Sequence, residues 1–173
     1  RISREDGLKM MTEAVACAKE LGIESIGVNA EDASRTEALN KDGRYDEDYL
    51  IRFAQAAKEH GADRIRYCDT LGYDHTVSIY DSVKRIAEAV QIPIELHCHN
   101  DLGYAVANSV EGAMGALDAG VDAYINTTVN GMGERAGNAD LVSVILALTK
   151  SRGMQGKDVL DDKIDLTKAW KIC

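Results

Sequence analysis

The sequence HCHND, which begins at His97, holds the residues with the most evident potential for chemistry. On a strand, His97 and His99 would point to the same side, because successive side chains alternate between the two faces. Two imidazoles on one face can provide two ligands of a divalent metal ion; the alternative is a pair of buried, hydrogen-bonded histidines. Cys98 would then face the core, and Asn100 and Asp101 could orient the rings through hydrogen bonds.

Two other segments carry polar side chains where a strand is expected to end. In EDASR, Glu31 could line a site and Arg35 could bind a carboxylate, although the segment could equally be a helix cap in a solvated loop. In YCDTLG, the hydroxyl of Thr70 is suited to hold a substrate carboxylate. Its neighbour Asp69 could instead cap the turn that follows.

The segment NGMGERAGN at residues 130–138 is rich in glycine and precedes a predicted helix. Such a loop can bring backbone amides close to an anion or a carbonyl group. A tight structural turn is the alternative, in which Glu134 and Arg135 form an ion pair within the loop. We assign no chemistry to His60 and His75, which lie at predicted helix ends.

These segments are positioned by a regular alternation of predicted helices and strands. Apolar residues recur at helical spacing after the potential caps Ser3 and Asp46, and again in three later segments. Short apolar runs between the helices predict strands, which are residues 23–29, 64–70, 94–99 and 123–130. Consecutive strands are far enough apart for a crossover helix, so the chain is predicted to form a parallel sheet.

The strand sequences favour a barrel over a doubly wound sheet. In all four strands one face is apolar and the other is polar, whereas a doubly wound sheet is expected to be apolar on both faces. The chemistry-bearing residues collect at the carboxyl ends of the strands, where the active sites of (β/α)8 barrels lie. Four βα units make about half of such a barrel, so residues 1–152 are predicted to form half of a barrel domain. Residues 153–173 would be a linker or the start of a C-terminal subdomain.

The same alternation places a charged cluster on the inward face. Glu95 should lie there with Arg64 and Arg66 on the neighbouring strand, and we predict that it pairs with one of them below the histidines. Such a pair would form a polar floor, because a buried charge is costly unless it is paired.

Composition excludes several classes of function. The chain has 173 residues, with 20 Lys and Arg against 29 Asp and Glu, and its formal net charge is −9. This acidic balance argues against nucleic-acid binding, and no apolar run is long enough for a membrane span. The charged start RISRED does not resemble a signal peptide, and the four cysteines form no C-x-x-C pair, so we expect a cytoplasmic protein with reduced thiols.

Four segments taken together resemble a known family: NAEDASRTE, RIRYCDTLGY, HCHNDLGYAVANS and INTTVNGMGERAGNADL. In this order they are similar to the Claisen-condensing branch of the DRE-TIM metallolyase superfamily, which includes 2-isopropylmalate synthases, homocitrate synthases and Re-type citrate synthases. The residues of these segments are most similar to those of the homocitrate synthases of the nitrogenase-cofactor type. The resemblance covers about residues 1–152 and implies that they form the second half of the barrel.

The resemblance implies a TIM barrel in which a divalent metal (Zn, Mn, Mg or Co) binds a 2-oxo acid. His97 and His99 match the histidine ligands of the family and Asn130 matches an asparagine at or near the metal. Thr70 matches the threonine that holds the oxo-acid carboxylate, and Glu31 matches a glutamate close to the substrate. The family's D-R-E segment, with an acidic ligand and a carboxylate-binding arginine, has no counterpart here, nor does its C-terminal region.

The activity that the resemblance implies is the condensation of acetyl-CoA with a 2-oxo acid, expected to be 2-oxoglutarate with homocitrate as the product. The alternatives are an isopropylmalate or Re-citrate synthase, a carbon–carbon lyase of the same superfamily, or a non-catalytic partial barrel. The expected partner is a second copy of the chain or the missing half of the barrel.

Overall fold

The computed structural model describes residues 2–36, 47–161 and 163–169. Helices and strands alternate along these residues, as the sequence predicts. The helices are α1 (Arg4–Glu20), α2 (Ala33–Thr36), α3 (Glu47–Glu59), α4 (Thr76–Val90), α5 (Ala105–Asp118) and α6 (Leu141–Lys150). The strands are β1 (Gly27–Ala30), β2 (Arg64–Asp69), β3 (Ile94–Cys98) and β4 (Ala123–Ile125).

The four strands form one parallel sheet in the order β1-β2-β3-β4. Neighbouring strands in space are also neighbours in sequence, which is the connectivity of a barrel segment. The (β/α)8 prediction is confirmed at this level: the chain forms a partial barrel of four strands with helices on one face.

All four strands are shorter than the sequence predicts, and β1 and β4 differ most. β1 begins at Gly27 instead of residue 23, because the Ile26 amide donates to the Asp63 side chain at 2.8 Å. β4 ends at Ile125, after which the Thr128 amide donates to the Ala139 carbonyl at 3.0 Å. The predicted end of the fourth strand therefore pairs with the segment that precedes α6.

The apolar face of the sheet packs under the helices. Ile65 and Tyr67 on β2 and Ile94 and Leu96 on β3 are at most 1% exposed. The predicted apolar stripe of α4 is fully buried against them: Ile79, Val83, Ile86 and Val90. The opposite face remains partly open, as expected for the inside of an incomplete barrel.

Helix α5 buries Val110 and Ala113 of its predicted apolar face and, beside them, two polar residues. Leu117 is 37% exposed, whereas Asn108 and Ser109 are fully buried. The contact with α4 is close because it uses glycine: a Cβ on Gly115 would lie 2.5 Å from the carbonyl oxygen of Tyr80. The lack of a side chain at this position lets the two helix backbones approach each other.

Several polar residues that have no assigned chemical role cap the ends of helices. The Ser3 hydroxyl caps α1 by accepting from the Asp6 amide at 3.1 Å, as the sequence predicts, whereas Asp46 lies outside the described residues. His75 caps α4, and Asp140 caps α6.

The residues after α6 pack back on this helix around a cavity of about 450 Å³. No helix in the described ranges is long and apolar enough to cross a membrane.

Candidate active site

The polar face of the sheet is arranged in layers by the strand register. Asn29, Arg66, Glu95 and Tyr124 are aligned across the four strands. The next layer toward the carboxyl ends contains Cys68 opposite His97. Because residues two apart share a face, the layers are about 6.6 Å apart along a strand. The side chains that could bind a metal or a substrate therefore lie one layer above a charged floor.

The two histidines lie together on the polar face. Their ring centroids are 5.1 Å apart and the rings are nearly perpendicular, at 86°. His99 is 4% exposed, and its Nε2 lies 4.0 Å from Glu134 Oε2. Burial, the proximity of His99 and the charge of Arg66 lower the pKa of His97, which favours the neutral imidazole.

This pair fits a metal in part. Metal ligation requires neutral imidazole nitrogens, and the Nδ1 atom of His99 is buried without a hydrogen-bond partner in the described part of the chain. The same part contains no group of three His, Cys, Asp or Glu side chains that could hold an ion. The chain therefore offers two nitrogen donors, and a complete site would require ligands of another kind or from elsewhere.

Glu31 and Thr70 meet at the carboxyl ends of β1 and β2. The Thr70 hydroxyl donates to Glu31 Oε1 at 2.8 Å and accepts from the Asp32 amide at 2.8 Å. Asp32 adopts a left-handed conformation (φ 57°) that directs its amide to this hydroxyl. Glu31 is also electrostatically coupled to His97. The two residues that the resemblance places close to the substrate are thus in direct contact.

Arg35 is placed differently from its predicted role. Its Nε donates to both carboxylate oxygens of Asp32, at 2.8 and 2.9 Å. The ion pair is exposed and raises the pKa of the guanidinium. To bind a substrate carboxylate, Arg35 would have to exchange this partner.

The glycine-rich loop closes over the ends of β2 and β3. Asn138 pairs with His99, and its amide donates to the Gly131 carbonyl at 2.9 Å. Asn130, next to Gly131, is exposed in a left-handed conformation (φ 57°). The structure thus brings the loop that carries Asn130 to His99.

Arg135 joins this loop to two others. Its Nε donates to Asp101 Oδ1 at 2.9 Å, and its Nη2 donates to the backbone carbonyl of Thr70. The ion pair expected within the loop, between Glu134 and Arg135, is replaced by this longer-range pair. Asp101 therefore binds Arg135 instead of orienting the histidines, and the Asn100 side chain accepts from the Ala105 amide of α5.

The charged floor predicted around Glu95 is confirmed. Glu95 is 5% exposed and accepts from Arg64 Nε at 2.9 Å and from Arg66 Nη2 at 2.7 Å. Burial opposes its ionisation, but the hydrogen bonds from Arg66, Asn126 and Arg64 lower its pKa overall. Asn126 donates to Glu95 at 2.7 Å and partly offsets the lowering of the His97 pKa, so it couples the floor to the histidines. Nothing in the sequence pattern indicated that Asn126 binds Glu95.

Asp69 lies on the other side of β2 and caps the following turn, as its sequence alternative predicts. It is fully buried and accepts from Ser34 Oγ and from the Tyr73 amide, both at 2.8 Å. Burial raises its pKa. Beside it, Asp74 accepts from the Tyr67 hydroxyl at 2.7 Å. This network fixes the turn that follows Thr70.

The family model named HMGL-like matches residues 1–173, the whole chain. The chain belongs to the HMGL-like family. Several relatives with similar sequences are synthases. A citrate (Re)-synthase of Dehalococcoides mccartyi is 55% identical over 97% of the chain. A 2-isopropylmalate synthase of Caldanaerobacter subterraneus is 48% identical over 84%, and homocitrate synthase AksA of Methanopyrus kandleri is 42% identical over 89%. The chain covers 38%, 34% and 35% of these relatives, so it spans little more than a third of their length.

Solved structures support the fold of this HMGL-like chain. The carboxyl transferase domain of Rhizobium etli pyruvate carboxylase matches with a TM-score of 0.68 at 23% identity, over 94% of this chain and 25% of that one. Hydroxymethylglutaryl-CoA lyase of Pseudomonas aeruginosa matches with a TM-score of 0.63 at 18% identity, over 83% and 47%. At these identities the likeness concerns the fold alone.

Proposed function

We propose that the protein containing this chain condenses acetyl-CoA with a 2-oxo acid at the cluster of Glu31, Thr70, His97 and His99. The observation that carries this proposal is the hydrogen bond of 2.8 Å between Thr70 and Glu31, on the face that holds both histidines. The relatives named as citrate, isopropylmalate and homocitrate synthases support this reaction class.

Each residue has a defined role in this proposal. The Thr70 hydroxyl turns from Glu31 to the carboxylate of the oxo acid and donates a hydrogen bond to it. Glu31, released from Thr70, is placed to accept a proton from the acetyl methyl group or to position the substrate. A divalent ion (Zn, Mn, Mg or Co) held by His97 and His99, with Asn130 nearby, would polarise the keto group as a Lewis acid.

The oxo acid that we propose is a dicarboxylate. The sequence motifs predict 2-oxoglutarate, but the relative named citrate (Re)-synthase shares 55% identity with the chain, against 42% for homocitrate synthase AksA. The higher identity favours oxaloacetate over 2-oxoglutarate. The remaining strands of the barrel would come from the rest of the polypeptide or from a second copy, in a cytoplasmic enzyme.

The test is release of CoA by the full-length protein, followed with a thiol reagent. Acetyl-CoA is supplied with oxaloacetate, 2-oxoglutarate or 2-oxoisovalerate, in the presence of each candidate metal. We expect release with at least one acid and its loss in Thr70→Val, with Thr70→Ser as the matched control that retains the hydroxyl. Absence of release with every acid and metal would contradict the proposal.

A further inference from the structure

Arg64 and Arg66 share Glu95 but differ in how their remaining donors are used. Arg64 donates from Nε to Glu95 and from Nη1 to Ser25 Oγ at 2.6 Å. Arg66 donates from Nη2 to Glu95, whereas its Nε is buried without a hydrogen-bond partner among the described residues. Of the two guanidinium groups, Arg66 is the one with a buried donor to spare.

The nearby carboxylates are already engaged. Glu95 accepts from Arg64, Arg66 and Asn126, and Glu31 accepts from Thr70. A buried donor that stays unpaired loses its hydration without compensation. The guanidinium of Arg66 is therefore suited to receive a further anionic acceptor.

Arg66 also lies one layer below the histidines on the inner face of the sheet. Its layer is directly below that of Cys68 and His97, about 6.6 Å away along the strand. Its side chain is 30% exposed on the inner face, and its positive charge contributes to lowering the pKa of His97. A substrate whose first carboxylate is held at Thr70 has this guanidinium beneath it.

We propose that Arg66 binds the distal carboxylate of a dicarboxylic 2-oxo acid and so selects it over an oxo acid with an apolar side chain. This inference rests on the proposed function. A planar guanidinium matches a carboxylate with paired N–H donors. An apolar side chain would leave the same donors dehydrated and unpaired, which is an effective means of rejection.

The test compares Arg66→Gln with the matched control Arg64→Gln in the full-length protein. Both variants remove one guanidinium from Glu95, so a purely structural effect should be similar in the two. We expect Arg66→Gln to lower kcat/KM for oxaloacetate or 2-oxoglutarate about 10- to 100-fold more than for 2-oxoisovalerate, mainly through KM, with a change for 2-oxoisovalerate no larger than that in Arg64→Gln. Arg64→Gln should change kcat/KM for all three acids alike.

The outcomes separate this inference from the proposed function. An undiminished preference for dicarboxylic acids in Arg66→Gln, or an equal loss with all acids, would overturn the role of Arg66. No CoA release by the unchanged protein with any acid would instead remove the proposed function, and this inference with it. Should Arg66→Gln fail to fold, Arg66→Lys keeps the charge without the planar fork. Its preference for dicarboxylic acids should fall, and an unaltered preference would be decisive against the proposal.

Discussion

Two buried carboxylates on adjacent strands, Glu95 and Asp69, are stabilised in opposite ways. Glu95 faces the barrel interior and accepts from two guanidinium groups and an amide, which together lower its pKa despite burial. Asp69 faces the helices and, among the described residues, accepts from a hydroxyl, backbone amides and an asparagine amide, and burial raises its pKa. The interior face is thus built to hold charge, whereas the helical face holds a carboxylate as part of a turn.

The largest effect should come from Glu95→Gln, which leaves two guanidinium groups without their counter-ion. Removing one partner of a buried ion pair costs about 3–5 kcal/mol, and the partial exposure of both arginines places this case near 3 kcal/mol. Denaturant unfolding of the full-length protein measures the loss, with Glu88→Gln on the exposed face of α4 as the control. An unchanged unfolding midpoint would show that Glu95 does not stabilise the floor.

Asp69→Asn should be the next largest change. Asparagine keeps one oxygen for the Ser34 hydroxyl and the Tyr73 amide. Its NH2 group replaces Oδ2 and so places donors against the Asp74 amide and the Asn108 side-chain amide, and about 2 kcal/mol should be lost. The exposed Asp81→Asn is the matched control, and thermal unfolding gives the readout. A loss as large as that of Glu95→Gln would remove the distinction between the two faces.

The pH dependence of stability should have opposite signs for the two carboxylates. The stability contributed by Glu95 is present above its ordinary pKa of 4.5 and is lost as the pH falls through its lowered folded-state pKa. Asp69 has a raised folded-state pKa, so its folded form gains stability as the pH falls from that value toward 3.8.

These opposite pH dependences can be tested by measuring the free energy of unfolding from about pH 3 to about pH 7. The measurement is made on the unchanged protein and on each variant. The difference between the unchanged protein and Glu95→Gln should shrink toward acid, whereas the difference for Asp69→Asn should grow. Parallel curves for the two variants would contradict the assigned directions.

The smallest effect concerns the thiols on the two faces. Burial raises the pKa of Cys68, on the interior face, to about 12, and it also raises the pKa of Cys98 on the helical face. Cys17 is exposed. In a Cys173→Ser background, a thiolate-selective reagent should label Cys17 in the native protein and the two buried thiols only after unfolding. Rapid native labelling of Cys68, read by peptide mass, would show that the interior is more open than the structure indicates.

The sequence predicted those features that depend on local periodicity. The period-two pattern placed His97, His99 and Glu95 on one face, and the helical period identified the buried stripe of α4. The expected pairing of Glu95 also required only knowledge of which strands are neighbours. These properties follow from side-chain direction, which the backbone fixes within a few residues.

Features that depend on distant contacts could not be predicted in the same way. Arg135 reaches the carbonyl of Thr70 across 65 positions of sequence, and no local pattern distinguishes this from an ion pair with Glu134. The early end of β4 reflects its pairing with the segment before α6. Arg35 matched the pattern of a carboxylate-binding residue, yet the partner that it found was Asp32, three residues away.

The glycine contact between α4 and α5 has a consequence for motion. Packed helices can slide past each other when their side chains leave alternative rotamers and gaps, but Gly115 brings backbone against backbone at Tyr80. Shear between these helices would force the two main chains into collision. Since α4 follows Thr70 and α5 follows His99, the ends of β2 and β3 should move as one rigid body.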